Sequence, residues 1–343
     1  MTLPATMKAG LYFNNQDIRV EERPVPTIGL AEALAAVRAC GICGSDIMQW
    51  YREPATRERG GINTGHEIAG QLVAVGEDVK EWSVGDRVVV THHFPCLECI
   101  PCQDGNETAC EAMYQKHIEP GGFSQYVRIL ESGMRKGLHR LPDAMSFEEG
   151  SFVEPLGCVV RSVRKAVPIA GRSVLVLGSG LAGLLHIKLA RAQGAAHITA
   201  VDTNADRLRI AERVGANAIL LANESVPCAD RVFVCTGSAA ASTQALECVR
   251  RGGQIVFFAA AGPDKKLEIP VTRFWFAQPA IHFSYGAAPR DLREAIEWIA
   301  SGKVCVRDLI THRLGIDQIP EAFDLASNPR GNSLKIIIQP NGG

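Results

Sequence analysis

Val174-Leu175-Val176-Leu177-Gly178-Ser179-Gly180-Leu181-Ala182-Gly183 decides the fold. Four apolar residues in a row read as a strand buried on both faces, the kind a parallel sheet uses. Gly178, Gly180 and Gly183 then spell G-x-G-x-x-G and open a helical stretch, 181–193. Such glycines allow a tight turn, close approach of a pyrophosphate and close helix–strand packing, with the phosphate at the helix N-terminus. Alone the pattern is weak, because a glycine-rich turn in a ligand-free α/β domain is spelled the same way. Its context strengthens it. The next strand, 197–201, is followed by Asp202, about twenty residues downstream, where a carboxylate bonds both ribose hydroxyls of adenosine. Asp202 repels a 2′-phosphate, which favours NAD over NADP. Arg207, in the following helix, either offers such a phosphate a partner, covers the adenine or meets the pyrophosphate.

Outward from this turn the alternation continues: helix 206–214, strands 218–221 and 231–234, helix 241–250 and strand 254–258. Strands alternating with helices predict a parallel sheet covered on both sides. Upstream, a helix is expected over 159–166, and the chain before it changes character. Residues 7–40 alternate short apolar and polar stretches around Pro24 and Pro26. Gly70, Gly76 and Gly85-Asp86 punctuate β-rich runs that end in Val88-Val89-Val90. This N-terminal part reads as mainly β. A helix over 291–300 and an apolar strand over 334–338 close the chain, and these patterns leave open which domain the tail joins.

With 343 residues, two domains are expected. A formal net charge of −1 points to neither nucleic acid nor an acidic membrane surface as partner. No apolar run approaches the roughly 18 residues of a membrane span. The first eight residues lack the basic start and apolar core of a secretory signal. Eleven cysteines is an odd number in a chain too large to need staples, which predicts reduced thiols, some committed to metal, in a cytoplasmic setting.

Cys96, Cys99, Cys102 and Cys110 are separated by two, two and seven residues in a loop containing proline and glycine. Four thiolates so close fit a closed, structural zinc site. The first three spacings also suit an iron–sulfur cluster, and the hydride-transfer logic elsewhere favours zinc. Cys40-Gly41-Ile42-Cys43-Gly44-Ser45-Asp46 and Gly65-His66-Glu67 form a second constellation. Cys40-x-x-Cys43 has the spacing of a redox dithiol or half a zinc site. Alternatively Cys43, His66 and Glu67 supply the three protein ligands of a catalytic zinc, which keeps a position open. Singly, a buried Cys is usually core and a lone His is usually a hydrogen-bonded or surface residue. Their coincidence with a dinucleotide motif favours the metal. The remaining histidines are taken as structural, His92 and His93 lying nearest the cysteine lobe.

Together these residues resemble the zinc-containing medium-chain dehydrogenase/reductase family. Gly65-His66-Glu67 with Gly70, Gly76 and Val79 matches that family's zinc signature, and Cys43-Gly44-Ser45-Asp46 and the four-cysteine lobe match as well. Glu154-Pro155-Leu156 and Phe283-Ser284-Tyr285 are most similar to the sorbitol (polyol) dehydrogenase branch. The resemblance implies a two-domain α/β chain. A GroES-like, mainly β catalytic domain takes 1–156 and 287–343, and a Rossmann doubly wound parallel sheet takes 157–286. It implies that Cys43 and His66 bind a catalytic zinc, with Glu67 a direct or exchangeable ligand. Glu154 binds the metal or holds its water, and Asp46 orients His66. Gly178, Gly180, Leu181, Ala182, Gly183, Asp202, Arg207, Thr236, Phe258, Ala259, Ala260, Phe283, Ser284 and Tyr285 line NAD.

The implied chemistry is oxidation of an alcohol: zinc lowers the hydroxyl pKa, Ser45 takes the proton and the carbon passes hydride to the nicotinamide. Three positions depart from the branch. Met48 stands where many relatives carry a histidine of a proton relay, and Ser284 and Gln49 replace an arginine and a tyrosine that contact polyol hydroxyls. The expected substrate is therefore a secondary alcohol of polyol, cyclic polyol or sugar-acid type rather than sorbitol itself. A homodimer or homotetramer is implied by the family. Two other readings compete: a zinc-free NADPH enone or quinone reductase, and a non-catalytic nucleotide-binding protein on the same scaffold. The intact Cys43, His66, Glu154 and Asp202 disfavour both.

Overall fold

The strand Ala33–Gly41 has no alternating polar face, because it lies in the middle of a sheet and is covered on both sides. A computed structural model describes residues 3–59, 61–331 and 333–342. It contains two units. The first comprises Met1–Pro155, Ala287–Gly302 and Val306–Gly343, and the second Leu156–Gly286 with Lys303–Cys305. The boundary falls inside one helix, Val153–Arg164, which starts six residues before the helix expected from the sequence. Pro155 is tolerated there because the first turn of a helix needs no N–H donor.

In the first unit, Ala33–Gly41 is flanked by Lys335–Gln339 and Glu67–Val75, both antiparallel to it. Arg87–Val90 and Leu138–Arg140 extend the sheet on one side and Ile310–Gly315 on the other. Tyr126–Ile129 also pairs with Ala33–Gly41, and a ribbon of Thr6–Asn14 and Asp17–Pro24 stands apart from the sheet. Val37, Ile68, Leu72, Val88, Phe123, Val127 and Phe323 are fully or almost fully buried in one apolar cluster. At about 25 cal/mol per Å² of apolar surface, such burial is what holds short strands of distant sequence together.

The sheet places the chemistry-bearing residues. Gly41 pairs with Glu67 on one side and Ile337 on the other, so the end of the central strand collects residues from three stretches of chain. Gly65 adopts φ +92°, and a Cβ there would approach Phe123 N to 2.7 Å and Cys40 Sγ to 3.0 Å. Only glycine fits before His66.

The second unit is a six-stranded parallel sheet. Its spatial order is Ala218–Leu221, His197–Asp202, Ser173–Leu177, Ala229–Val234, Val249–Phe257 and Ala280–Phe283. Numbered along the chain this is 3-2-1-4-5-6, the doubly wound dinucleotide-binding order. The three central strands are buried along most of their length, as their unbroken apolar runs require.

Candidate functional site

Cys43, His66 and Glu67 present a thiol, an imidazole nitrogen and a carboxylate oxygen that all lie within 4.8 Å of one another. Cys43 caps the short turn Gly44–Asp46 just beyond the central strand, while His66 immediately precedes the neighbouring strand that Glu67 begins. Asp46 is fully buried beneath them. Its Oδ2 accepts from the Cys43 N–H at 3.0 Å, and its Oδ1 accepts from Arg52 Nη2 at 2.9 Å and faces His66 Nδ1 at 3.5 Å. That contact leaves Nε2 of His66 free to meet a metal, the arrangement by which a second carboxylate orients a metal-binding imidazole. Burial alone would lower the basicity of His66, but Asp46, reinforced by the Cys43 thiol, raises it well above its ordinary value in the metal-free protein. Burial would likewise raise the Asp46 carboxyl, and His66, Arg52 and the Cys43 N–H together hold it below the ordinary range.

Glu67 is buried completely. Its Oε2 accepts a hydrogen bond from Lys335 Nζ, and its Oε1 has no partner among the described residues. A buried carboxylate oxygen left unpaired is costly, and a cation beside it removes the cost. The donor set and this orphaned oxygen fit a zinc ion held by sulfur, nitrogen and oxygen. Glu154 is half-buried in the first turn of its helix and stands outside the three-donor group. Ser45 is half-buried in the turn, where its carbonyl accepts from Arg52 Nε at 2.9 Å.

Cys40 is separate from the group. Its side chain is enclosed between Gly65 and Gly122, and burial raises its thiol far above the ordinary value. Cys40 lies inside the strand Ala33–Gly41 while Cys43 caps the turn beyond it, and both are free thiols.

Cys96, Cys99, Cys102 and Cys110 form the second group. Sulfur–sulfur separations are 3.5 Å for Cys99–Cys102 and Cys96–Cys110, and 4.0 Å for Cys96–Cys102. A tetrahedron with metal–sulfur bonds of about 2.3 Å has edges of about 3.8 Å, so four sulfurs at these distances fit zinc. The Cys96 sulfur accepts from the N–H groups of Glu98 and Cys99 at 3.4 and 3.3 Å, which lower its pKa to about 6. The knuckle that aims these amides forces Leu97 to φ +68°, a conformation uncommon for a side-chain-bearing residue.

In the second unit Gly178 turns at φ +97°, and Gly180 caps the helix Leu181–Ala192 with open space where a Cβ would stand. A Cβ at Gly183 would run into the Gly178 carbonyl, so the third glycine permits helix and strand to touch. Asp202 ends its strand and is 9% exposed; Oδ2 accepts from Ser179 N at 2.6 Å and Oδ1 from Asn204 N at 2.9 Å. Thr236 packs against Gly178, and Arg207 is half-buried in the first turn of its helix. Leu181 and Ala182 are half-buried at the same helix start. Phe258 and Ala259 are half-buried and Ala260 exposed at the end of the neighbouring strand. Phe283 and Tyr285 are exposed, and Ser284 is buried with an unpartnered hydroxyl.

Two residues of the metal region, Lys335 and Arg52, went unread in the sequence, and His92 reads there as structural. Lys335 had a signal, a cation inside an otherwise apolar strand. Arg52 had none. His92 stacks on His93 at 3.7 Å between ring centres and lies 4.8 Å from the His66 ring. Burial keeps His92 neutral, lowering its pKa well below the ordinary value.

The alcohol dehydrogenase GroES-like domain pattern matches residues 29–143, and the zinc-binding dehydrogenase pattern matches residues 182–301. Sorbitol dehydrogenase of Bacillus subtilis is 31% identical over 362 residues, covering 99% of either chain. The crystal structure of 2R,3R-butanediol dehydrogenase from Bacillus subtilis superposes with a TM-score of 0.84 at 28% identity, covering 98% of this chain and 100% of that one. A zinc-binding dehydrogenase from Sinorhizobium meliloti, solved bound to NADP, gives 0.86 at 27% identity over 98% and 100% of the two chains.

Proposed function

Because the chain belongs to the zinc-containing medium-chain dehydrogenase/reductase family, near its polyol dehydrogenase branch, we propose that it moves a hydride from a secondary alcohol bearing further hydroxyls to NAD, giving a ketone. The broader activity is that of a zinc-dependent oxidoreductase acting on alcohol or polyol CH–OH groups with a nicotinamide cofactor. One observation carries the finer reading: Cys43, His66 and Glu67 converge within 4.8 Å while one Glu67 oxygen is left without a partner.

Zinc, when bound there, supplies Lewis acidity toward a substrate oxygen. Cys43 and His66 are its fixed holders, and Asp46 keeps the His66 ring turned with Nε2 outward. Lys335 retains one oxygen of Glu67, so this carboxylate reaches the metal only through the other. Ser45 would take the substrate hydroxyl's proton while passing its own to a water, and Glu154, outside the donor group, would hold that water. The cysteine lobe offers no open position and holds a second zinc for structure.

NAD is the better fit to Asp202, a buried carboxylate at the end of the second strand of the nucleotide sheet. In the second unit Val271 and Trp275 are more than 70% exposed, as is Phe283 on the edge strand Ala280–Phe283. An unpaired strand edge beside apolar side chains supports a homodimer formed through it, or a tetramer built from such dimers. Eleven free thiols support a reducing, cytoplasmic setting.

Metal analysis together with a substrate screen tests this reading. Two zincs per chain, and NADH formation with polyols, cyclic polyols or sugar acids, are expected. One zinc per chain that survives Cys43→Ser would sink it.

A further inference from the structure

Two cysteines outside both metal groups stand at the same end of neighbouring strands. Ala229 lies opposite Val249 where Ala229–Val234 and Val249–Phe257 begin, ahead of a register shift before Arg231, so Cys228 and Cys248, the latter the last residue of the helix Ala239–Cys248, each precede one member of that pair. Each sulfur reaches the backbone beside the other cysteine. Cys228 Sγ is 3.7 Å from the carbonyl oxygen of Glu247, the residue before Cys248. Cys248 Sγ is 3.6 Å from the carbonyl oxygen of Val226, two residues before Cys228. The paired Ala229 and Val249 stand at the strand spacing of about 4.8 Å, a disulfide spans roughly 4.4–6.8 Å between Cα atoms, and each cysteine is the residue just before one of that pair. Both are free thiols, Cys228 exposed and Cys248 buried.

We propose that Cys228 and Cys248 form an oxidation site, which hydrogen peroxide converts to an intramolecular disulfide. The exposed Cys228 reacts first: its sulfur takes one peroxide oxygen as the O–O bond breaks, giving a sulfenic acid and water. Cys248 then gives up its proton and attacks the Cys228 sulfur; the S–S bond forms, and the departing hydroxyl leaves with that proton as a second water. The two thiols lose two electrons, which the peroxide gains. Burial, with Cys228 and Glu247 adding to it, pushes the Cys248 thiol up to about 11, so it stays protonated and unreactive until its partner is activated. Arg273 donates to the same Glu247 carbonyl at 2.8 Å and places a positive charge beside the sulfur that must become a thiolate.

The pair lies at the N-terminal ends of its strands, whereas the glycine turn follows the C-terminal end of Ser173–Leu177 in the same parallel sheet. The bond therefore closes a loop over the strand Ala229–Val234 and the helix Ala239–Cys248, at the sheet end remote from that turn. It acts as a staple that shortens the unfolded chain, raising Tm by about 5 °C.

The test uses the zinc-loaded protein titrated with hydrogen peroxide, quenched with N-ethylmaleimide and mapped by mass spectrometry without reduction, with released zinc followed by a chromophoric indicator. A cross-linked peptide pair carrying Cys228 and Cys248, cleaved by dithiothreitol and formed before zinc leaves, is expected, along with the rise in Tm. In Cys248→Ser, dimedone should trap the sulfenic acid on Cys228 with no gain in Tm. The proposal is overturned by a wild-type protein in which both cysteines still take maleimide when zinc begins to leave, or in which Cys228 is joined to another chain instead.

Discussion

Lys335 Nζ donates to the Glu67 carboxylate inside the first unit, and neither side chain reaches solvent. The two residues meet over Gly41, which lies between their strands. A methyl on Gly41 would come within 2.6 Å of Lys335 Cε and closer still to Glu67. Lys335 also faces the Phe152 ring at 5.5 Å and reaches the Ile42 carbonyl at 3.3 Å. Two buried charges are expensive to desolvate, and their attraction repays this only while both are present. The pair therefore contributes position more than stability: it assigns one oxygen of Glu67 to Lys335 and leaves the other without a hydrogen-bond partner among the described residues.

Lys335→Met leaves a buried carboxylate without its cation and should cost about 3–5 kcal/mol in urea unfolding. Combining it with Glu67→Gln removes both charges and should recover most of that loss. If the double variant is as unstable as the sum of the two singles, the residues do not act as a pair.

Gly41→Ala should separate the same pair without changing either charge. Its expected signature is a stability loss of about 1–3 kcal/mol, the range of an overpacked core. Catalytic-site zinc affinity should fall with it, while the cysteine-lobe zinc is retained. A variant that keeps both full stability and both zincs would show that the room over Gly41 is not needed.

Cys102→Ser should release the lobe zinc and leave the other in place, since the two donor groups share no residue. The lobe has little apolar support of its own beyond Met113 and its half-buried neighbours. Tm should fall by several degrees and the backbone near the lobe should lose protection from hydrogen exchange. Undiminished protection there would assign the lobe's stability to packing rather than metal.

The catalytic group should take up zinc in a pH-dependent way. In the metal-free protein burial opposes, but Asp46 raises, the pKa of His66 above its ordinary value. Charged His66 thus stabilises the metal-free fold in full below about pH 6.5, and this contribution is lost as pH rises through the raised folded value. Zinc needs the neutral ring, so binding expels the proton and affinity climbs with pH over that same interval. Zinc titrations of the apoprotein from about pH 6 to 8 should show a steeper rise for wild type than for Asp46→Asn. Equal slopes would remove Asp46 from this role.

Local patterns carried the second unit, because a buried parallel strand and its following helix announce themselves within a dozen residues. Val174 to Gly183 and the strand ending at Asp202 needed no distant partner to be read. The first unit was less legible. Helix Gln49–Arg59 is mostly polar and contains Pro54 in its interior, so neither periodicity nor propensity marks it. In the second unit Ala280–Phe283 was the exception, with only four residues, too few for a period to show. Cys43, His66 and Glu67 were identifiable from residue type and resemblance, but their support was not: Arg52 and Lys335 reach them through contacts that sequence spacing does not encode. Lys335 alone left a trace, since a cation within an apolar strand must find a buried partner.

Asp202 carries a structural load besides the ribose role that its position implies. Both of its carboxylate oxygens already accept backbone N–H groups, from Ser179 in the glycine turn and from Asn204. An ionised carboxylate has about four acceptor sites, so two ribose hydroxyls can still be served. Asp202→Ala should therefore have two separable effects. Loss of the turn contacts should destabilise the protein by about 1–3 kcal/mol in unfolding experiments without cofactor, as buried amides lose their acceptor. Loss of the ribose contacts should lower kcat/KM for NAD by about 10- to 100-fold, the worth of hydrogen bonds to a charged group. NADP should be affected less, because the charge that repels its 2′-phosphate has gone. Asp202→Asn keeps one acceptor oxygen for the turn and should be the more stable variant, yet lose the preference for NAD as well. A variant that is destabilised while its NAD-to-NADP ratio stays at the wild-type value would leave Asp202 as a brace of the glycine turn and nothing more.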